Sequence, residues 1–280
     1  MELLAIPRTA RVFLETGFGS LSPLGQKGES RTFRAGSVVL KIFSPTEKES
    51  AQREAANIER AGLGEWVLDI LEAPDLAGYE VLVLRAFAGE PFQPERYTAK
   101  VEAKLAELLR RVHSLDEPGW SKLAEISERI ALFRRDLVAT PEAVWLLDQL
   151  AERAGEFSGV PLHFCHQDLW AGNVLVSDQE EVFLVDWGRA GGEDPARDLA
   201  ILKTGTLDLL GESESVGAAH RIVGTYPEGA AIWHRMRFFV PLTYLHDLYW
   251  FKNHQPTHLE AALTQKLPRA LSFYRSWAPL

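Results

Sequence analysis

The sequence predicts an α+β fold in which a strand-rich N-terminal part precedes a larger, mostly helical part. Residues up to about Phe87 contain short β-branched and aromatic runs of strand length, whereas a helical spacing of apolar residues dominates afterwards. The corner Ala88-Gly89-Glu90-Pro91 separates the two patterns with turn-forming residues. A length of 280 residues accommodates one or two domains, and we place the boundary between 1–88 and 89–280.

The composition is that of a folded globular protein and excludes several functional classes. Hydrophobic residues make up 46% and charged residues 25% of the chain, and the formal net charge is -9. Because nucleic acids and anionic membranes bind clustered Lys and Arg, we expect neither as a partner. Cys165 is the single cysteine, so an intramolecular disulfide is excluded and a reducing compartment is indicated. No apolar run reaches the roughly 20 residues of a bilayer span, so we expect a cytoplasmic protein of undetermined oligomeric state.

Two strands and one helix are predicted in the N-terminal part. The strands are the β-branched and aromatic runs 37–43 and 80–85. Between them, Ser44-Pro45-Thr46-Glu47 combines a capping residue, a proline for the first helical position and a glutamate for the third, so a helix is expected to begin there. Helix-forming residues continue to Glu59, and Gly62 stands where a left-handed stop is expected.

The second part shows helical periodicity. Apolar residues at the i, i+4, i+7 and i+8 spacing of one buried helix face are Val101, Leu105, Leu108, Leu109 and Val112. Two further helices are predicted over 121–138 and 142–157, separated at Thr140-Pro141, and the chain after about 199 is expected to be mostly helical.

A polar loop and a hairpin lie between these helical regions. The loop carries His166, Asp168 and Asn173 in the pattern H-x-D-x-x-x-x-N, and the hairpin 174–185 leads directly into Asp186 of an Asp-x-Gly turn. Phosphoryl transfer uses such groups, because one carboxylate accepts the proton of the attacking hydroxyl while an amide oxygen and a second carboxylate hold Mg²⁺. Each residue alone is more often a turn former, but the combination with the hairpin favours the functional interpretation.

These motifs resemble the aminoglycoside phosphotransferase and choline kinase family, the small-molecule relatives of the protein kinases. The resemblance extends over about 17–205 and rests on four segments, which are 108–115, 166–173, 186–188 and 194–200. It implies a bilobal protein-kinase-like fold. A small antiparallel-sheet lobe with one helix, 1–88, would bind the nucleotide, and a larger, mostly helical lobe, 89–280, would carry catalysis and substrate binding.

The resemblance also implies roles for individual residues. Asp168 would be the catalytic base, and Asn173 and Asp186 would be the Mg²⁺ ligands. Asp198 would be a structural carboxylate that braces the catalytic loop, with His166 as a second structural residue at the site.

Two details bear on the subgroup and on the substrate. The pair Leu169-Trp170 is similar to fructosamine kinases, but Asp186-Trp187-Gly188 departs from the Asp-Pro-Ala that is usual there. A protein kinase needs a long segment after Asp-x-Gly, ending in Ala-Pro-Glu, to dock a polypeptide. Here Asp194-Pro195 follows within a few residues, which favours a small hydroxylated substrate.

Lys41 is the candidate phosphate-binding lysine. Strand alternation places it between the apolar Val39 and Phe43 on one face, where a lysine needs a charged partner or an extended path to water. In kinases such a lysine contacts the α- and β-phosphates and pairs with a helical glutamate, for which Glu54 is the best placed. An edge-strand lysine and a solvated helix face are the alternatives.

The other nucleotide contacts are predicted mainly by position. Gly28 and Ser30 lie before the Lys41 strand, where a glycine-containing loop would approach phosphate, although a plain turn between strands explains them equally. Adenine is expected against backbone near Arg85 and Phe87.

The acceptor is an unidentified small hydroxyl compound: an amino alcohol, sugar, amino sugar or aminoglycoside. Trp170 beside the base, and Asp247 and Trp250 in the aromatic cluster 244–251, are candidate substrate contacts through ring faces and one charge. A buried amphipathic helix is the alternative for that cluster. The predicted activity is ATP- and Mg²⁺-dependent phosphotransfer, with a fructosamine-kinase-like sugar-amine kinase and an inactive ATP-binding module as alternatives.

Overall fold

The chain folds into two units, and each unit is made of two separate segments of the chain. The computed structural model describes residues 6–24 and 31–276. One unit consists of Met1–Ala88 with Asp186–Ala190, and the other of Gly89–Val185 with Gly191–Leu280. The short segment Asp186–Ala190 thus groups with the first unit, because the Asn57 amide donates to the carbonyls of Trp187 (2.9 Å) and Ala190 (3.2 Å).

The first unit is built on a five-stranded antiparallel sheet. Its strand order is β1-β2-β3-β5-β4. The elements are α1 (Arg8–Phe18), β1 (Ser22–Pro23), β2 (Thr32–Ala35), β3 (Val38–Phe43), α2 (Ser50–Ile58), β4 (Val67–Leu71) and β5 (Glu80–Arg85). The two predicted strands are confirmed as β3 and β5, which pair in the centre of this sheet with Lys41 opposite Leu82.

Helix α1 was not predicted and adds a second helix to this unit. Its buried residues Ala10 and Leu14 pack into the same core as Phe33, Leu40 and Val83 from the sheet. Burial of that apolar surface holds the helix in place, since α1 lacks a side-chain cap at its N-terminus.

Helix α2 begins at Ser50, so the prediction that it starts at Pro45 is wrong. The Glu47 carboxylate accepts hydrogen bonds from the Ser44 backbone N–H (2.9 Å) and hydroxyl (2.6 Å), and these residues close a turn. Glu49, with a φ of 62°, separates that turn from the helix.

The helical conformation that follows α2 is interrupted at Gly62, as predicted. Gly62 has a φ of 75° and a ψ of 25°, the left-handed conformation that glycine adopts without steric cost. The chain then enters β4.

The second unit is mostly helical and holds two small antiparallel sheets, of order β10-β9-β6 and β11-β8-β7. With the first unit it confirms the α+β prediction. Its strands are β6 (Glu90–Pro91), β7 (Asp116–Trp120), β8 (Pro161–Cys165), β9 (Val174–Val176), β10 (Val182–Leu184) and β11 (Gly191–Glu193). Its helices are α3 (Ala99–His113), α4 (Leu123–Asp136), α5 (Pro141–Arg153), α6 (Pro195–Gly205), α7 (Glu212–Gly224), α8 (Gly229–His254) and α9 (Leu259–Arg275).

The helix predictions for this unit are confirmed. All five apolar residues predicted for one face of α3 are buried, and the Thr98 hydroxyl caps the helix by accepting from the Val101 N–H (3.2 Å). Helix α4 lies within the predicted range 121–138, and α5 begins at Pro141, one residue before the predicted range 142–157. Within the part of the chain that the structure describes, none of the helices has the length and apolarity needed to cross a membrane.

Candidate active site

The loop between β8 and β9 brings Asp168 and Asn173 together. The Asn173 side-chain Nδ2 donates to the Asp168 carbonyl (2.9 Å) and to its carboxylate Oδ2 (3.0 Å). Asn173 is buried, and Gln167 turns the chain with a φ of 64°. Because Nδ2 faces Asp168, the amide oxygen of Asn173 is directed away from that carboxylate.

Asp198 holds the start of this loop from the first turn of α6. Its fully buried carboxylate accepts from the backbone N–H groups of His166 (2.9 Å) and Gln167 (2.7 Å) and lies 3.0 Å from His113 Nε2. Burial alone would raise the pKa of Asp198, but these hydrogen bonds and the neighbouring histidines outweigh it and hold the pKa below its ordinary value. The carboxylate therefore stays ionised while it orders the loop backbone.

Two buried residues behind Asp198 were not predicted as site residues. His113, at the end of α3, bridges Asp198 to Tyr226, whose hydroxyl lies 2.9 Å from His113 Nδ1. Cys165 is also buried beside this group, and burial followed by the charge of Asp198 raises the pKa of its thiol well above the usual value. His113 lies within the segment 108–115, on which the family resemblance partly rests, whereas Tyr226 carries no sequence signal.

His166 connects the loop to the end of the hairpin. Its Nε2 lies 3.0 Å from the Val185 carbonyl, and the Val185 N–H donates to the Asn173 carbonyl at 3.0 Å. Both ends of the hairpin are thereby fixed, and Asp186 is the next residue along the chain.

In the first unit, Lys41 lies between two carboxylates. Its Nζ is 2.6 Å from Glu54 Oε2 and 2.6 Å from Asp186 Oδ1. Glu54 is almost completely buried, whereas Asp186 is partly exposed. The group carries one positive and two negative charges, so it has an excess of negative charge at neutral pH.

The pKa shifts in this group follow from burial and charge. Burial would lower the pKa of Lys41, but the charges of Glu54 and Asp186 outweigh it and raise that pKa. Burial raises the pKa of Glu54, and the Lys41 ammonium opposes part of the rise. The lysine is therefore firmly protonated at neutral pH.

The backbone of the Asp-x-Gly turn suits its sequence. Asp186 has a φ of 66° and a ψ of 65°, a left-handed conformation that Asp tolerates better than most residues. A Cβ at Gly188 would lie 3.3 Å from Glu54 Oε2, so glycine leaves room for that carboxylate. Trp187 is buried and anchors the turn.

Mg²⁺ prefers hard oxygen ligands, and the predicted metal ligands supply them. The Asn173 amide oxygen and the Asp186 carboxylate are of the chemical type that holds Mg²⁺ in proteins. Since the Asn173 Nδ2 is used in hydrogen bonds to Asp168, the side-chain oxygen is the atom suited to a metal. Each of these two side chains is therefore of a chemical type that suits the ion.

Trp170, two residues after Asp168 in the chain, presents a partly exposed indole. Its side chain packs over Gly172, where a Cβ would lie 2.2 Å from the ring. A Cβ at Gly205 would lie 3.1 Å from the Trp170 Cα, and the Thr206 hydroxyl donates to the Leu169 carbonyl at 2.9 Å. Two glycines and one buried threonine therefore fix the position of this tryptophan.

The other predicted substrate residues lie on α8. The Asp247 carboxylate Oδ2 pairs with Lys266 Nζ at 2.6 Å, so its charge already has a partner. Trp250 is partly exposed and stacks on His254 with the ring centroids 5.2 Å apart. Tyr244, from the same aromatic cluster, is buried, as the alternative of a core helix expects.

Two predicted nucleotide contacts lie at the end of β5, and two lie outside the described residues. Arg85 is exposed and ends the strand, while Phe87 contacts Trp66 edge to face with the ring centroids 5.9 Å apart. Gly28 and Ser30 fall outside the described residues.

The sequence matches one known protein family over most of its length. A sequence model of one family, described as "Phosphotransferase enzyme family", matches residues 20–239. A search of the curated proteins found no match.

Solved structures resemble the chain over nearly its whole length. Aminoglycoside phosphotransferase APH(4)-Ia is 19% identical with a TM-score of 0.69, and the match covers 97% of this chain and 99% of that one. A thermostable variant of it, in ternary complex with AMP-PNP and hygromycin B, is 20% identical with a TM-score of 0.68 and coverage of 98% and 100%. Choline kinase LicA from Streptococcus pneumoniae is 18% identical with a TM-score of 0.63 and coverage of 96% and 100%. The protein-kinase-like fold is thereby confirmed.

Proposed function

Because the chain belongs to the phosphotransferase enzyme family, we propose that it transfers the γ-phosphate of ATP to a hydroxyl group of a small molecule. The resemblance to aminoglycoside phosphotransferases and choline kinases is confirmed by the family match and by the solved structures. Our proposal concerns which nucleotide, ion and acceptor the protein uses and which residues act on them.

The contact that best supports this proposal is Lys41 between Glu54 and Asp186. A lysine fixed by a buried glutamate keeps its ammonium in one position and fully charged, as binding of the α- and β-phosphates requires. A surface lysine with a structural role would not need two carboxylates, one of them almost completely buried. We assign Lys41 to the triphosphate and Glu54 to positioning it.

Asp168 is the proposed base. The acceptor hydroxyl loses its proton to the Asp168 carboxylate as its oxygen bonds to the γ-phosphorus, while the bond from that phosphorus to the bridging oxygen breaks and ADP leaves. Asn173 holds the Asp168 carboxylate in place through the 3.0 Å hydrogen bond to Oδ2. Asp198 orders the preceding two residues, so the base is oriented before the substrate arrives.

Mg²⁺, when bound, would neutralise charge on the phosphates, and Asn173 and Asp186 would hold it. Lys41 would bind the triphosphate, and Asp168 would accept the proton of the acceptor hydroxyl. Most of the rate enhancement would then come from positioning and electrostatics.

Trp170 is the best-supported acceptor contact among the predicted ones. Its indole is partly exposed and its position is fixed, so it can offer a ring face to a sugar or to an ammonium group. Asp247 is less suited to bind an acceptor ammonium, because Lys266 already neutralises its charge. Among known similar structures, one contains hygromycin B and another is a choline kinase, so amino sugars and amino alcohols are the first acceptors to test.

The test is a transfer screen with [γ-³²P]ATP over amino alcohols, sugars, amino sugars and aminoglycosides. We expect labelled product from one of these classes, and Asp168→Asn should lower kcat by about 10²–10⁴, the usual range for a positioned base. Asp178→Asn is the matched control, since Asp178 is exposed and pairs with Arg96 on the surface. Normal turnover by Asp168→Asn would refute the assignment of the base.

Two alternatives give different results in the same screen. A fructosamine-kinase-like enzyme would label a sugar amine and leave aminoglycosides unlabelled. An inactive nucleotide-binding module would show ATP-dependent thermal stabilisation with no transfer to any acceptor. A cytoplasmic location stays a prediction.

A further inference from the structure

Three side chains of the second unit form a cluster with an excess of positive charge. Arg129 on α4 and Arg197 on α6 both approach the Glu193 carboxylate on β11. Arg197 Nη1 pairs closely with Glu193 Oε2, whereas Arg129 Nη2 lies 3.9 Å from the same oxygen. We call these residues the Arg129–Glu193–Arg197 cluster.

Both oxygens of the Glu193 carboxylate already accept a hydrogen bond without Arg129. Its Oε2 accepts from Arg197, and its Oε1 accepts from the Asp194 backbone N–H at 3.1 Å. A separation of 3.9 Å is too long for a hydrogen bond. Over residues 6–24 and 31–276, the Arg129 guanidinium therefore donates no hydrogen bond to the protein.

Arg129 is nevertheless partly withdrawn from water. Its side chain is 27% exposed and that of Arg197 is 21% exposed. Burial, and then the charge of Arg197, lower the pKa of Arg129 to about 10, so the guanidinium remains charged at neutral pH. Glu125, the other carboxylate that acts on Arg129, is itself exposed and pairs with Lys122 at 3.5 Å.

A charged donor group that is partly withdrawn from water and has no acceptor in the protein gains charge-assisted hydrogen bonds when an anion binds. Arg129 and Arg197 both approach Glu193 Oε2, and two neighbouring guanidinium groups suit a tetrahedral oxyanion because several of its oxygens can accept at once. A monovalent halide offers no such set of acceptors.

We propose that the Arg129–Glu193–Arg197 cluster is a binding site for a phosphate group, either as free inorganic phosphate or at the end of a phosphate monoester. The site is separate from the residues assigned to phosphotransfer, and it does not depend on the proposed function. Arg197 immediately precedes Asp198, so an occupied site would also stabilise the first turn of α6, which orders the catalytic loop.

The test measures the thermal stability of the full chain and its direct binding of phosphate. The melting temperature is measured at increasing concentrations of inorganic phosphate at constant ionic strength, with chloride as the control salt. Binding is followed by ³¹P NMR line broadening. The unmodified protein should show a saturable rise in Tm. Arg129→Gln should weaken phosphate affinity at least about tenfold, the loss of one charge-assisted hydrogen-bonding group.

Two further variants keep the test independent of misfolding. Arg134→Gln, on the same helix but exposed and paired with Asp148, should bind phosphate as the unmodified protein does. Glu193→Gln removes the competing negative charge and should tighten phosphate binding several-fold, a gain that damage to the fold cannot produce.

Comparison of variants separates this site from phosphate binding elsewhere, because the proposed nucleotide residues are unchanged in all of them. Equal phosphate affinity for Arg129→Gln and Arg134→Gln would overturn the proposal, and so would unchanged or weaker binding by Glu193→Gln. Methyl phosphate distinguishes the two ligand sources: binding equal to that of phosphate supports a monoester ligand, and binding of phosphate alone supports the free anion.

Discussion

Replacing Asp198 with Asn tests the buried carboxylate on which the order of the candidate catalytic loop rests. The substitution keeps the shape of the side chain and removes its charge. At present Oδ2 accepts from the His166 N–H and lies 3.0 Å from His113 Nε2, and Oδ1 accepts from the Gln167 N–H at 2.7 Å. An amide has one acceptor oxygen, so its NH₂ group must face a hydrogen-bond donor.

The expected loss of stability follows from these contacts. If the amide oxygen takes the position of Oδ2, the Gln167 N–H loses a hydrogen bond to a charged group, worth about 1.5–3 kcal/mol, and stays unsatisfied. The remaining two hydrogen bonds weaken because the acceptor is neutral. We expect a total loss of about 3–5 kcal/mol, as for other broken buried charge pairs. For a unit of this size the melting temperature should fall by about 6–20 °C.

Thermal unfolding followed by circular dichroism measures this effect. Asp178→Asn is the matched control: its carboxylate is exposed, with Arg96 Nη1 2.8 Å away, and its loss should cost about 0–1 kcal/mol. Equal melting temperatures for the two variants would show that Asp198 does not brace the loop.

The stabilisation that the Asp198 carboxylate provides should also depend on pH. The pKa of Asp198 is lower in the folded chain than its ordinary value of about 3.9, so its ionisation stabilises the fold above that pH. This stabilisation is lost as the pH falls through the folded pKa. The difference in unfolding free energy between the unmodified protein and Asp198→Asn should therefore be constant near neutrality and shrink below about pH 4. A difference that persists undiminished at lower pH would contradict the cause assigned to it.

Two further substitutions test other contacts. Lys41→Met should weaken ATP binding about 10–100-fold in a calorimetric titration, because a charge-assisted contact to phosphate is lost. Lys48→Met, in the exposed turn before α2, should leave ATP affinity unchanged. Equal ATP affinities for the two variants would refute the assignment of Lys41. Gly205→Ala should destabilise the chain by about 1–3 kcal/mol in urea unfolding, because a Cβ would lie 3.1 Å from the Trp170 backbone. Gly224→Ala, at the end of α7 with nothing within 4 Å of the added Cβ, should be neutral or stabilising, and a matching loss there would show that contact with Trp170 is not the cause.

The elements predicted correctly are those whose pattern is complete within a single segment. Strands β3 and β5 have continuous β-branched runs, and the buried face of α3 repeats over several turns. Strands β1, β2 and β4 are short, and β4 includes Asp69 within five residues, so pairing with β5 defines it more than its own sequence does. The start of α2 was misplaced because Ser44 and Glu47 satisfy each other equally well in a turn.

The candidate site shows the same division. Strand alternation singled out Lys41, and the kinase arrangement of a strand lysine with a helical glutamate singled out Glu54. The structure places their charged atoms 2.6 Å apart. The additional contact from Lys41 to Asp186 joins residues 145 positions apart in the sequence, and the contact from His113 to Tyr226 joins residues 113 apart. Contacts of that length depend on the packing of whole elements, and no local pattern in a single sequence indicates them.

Cys165 gives the protein a built-in reporter of local unfolding. It is the one thiol in the sequence, it is buried in β8 directly before the loop that carries Asp168, and its Sγ lies 3.4 Å from the Glu193 carbonyl. A disulfide reagent reacts with the thiolate only after that strand separates from its neighbours, because both burial and the raised pKa protect the closed form. The labelling rate of the unmodified protein therefore measures how often this strand opens, and ligands that tighten the loop should slow it.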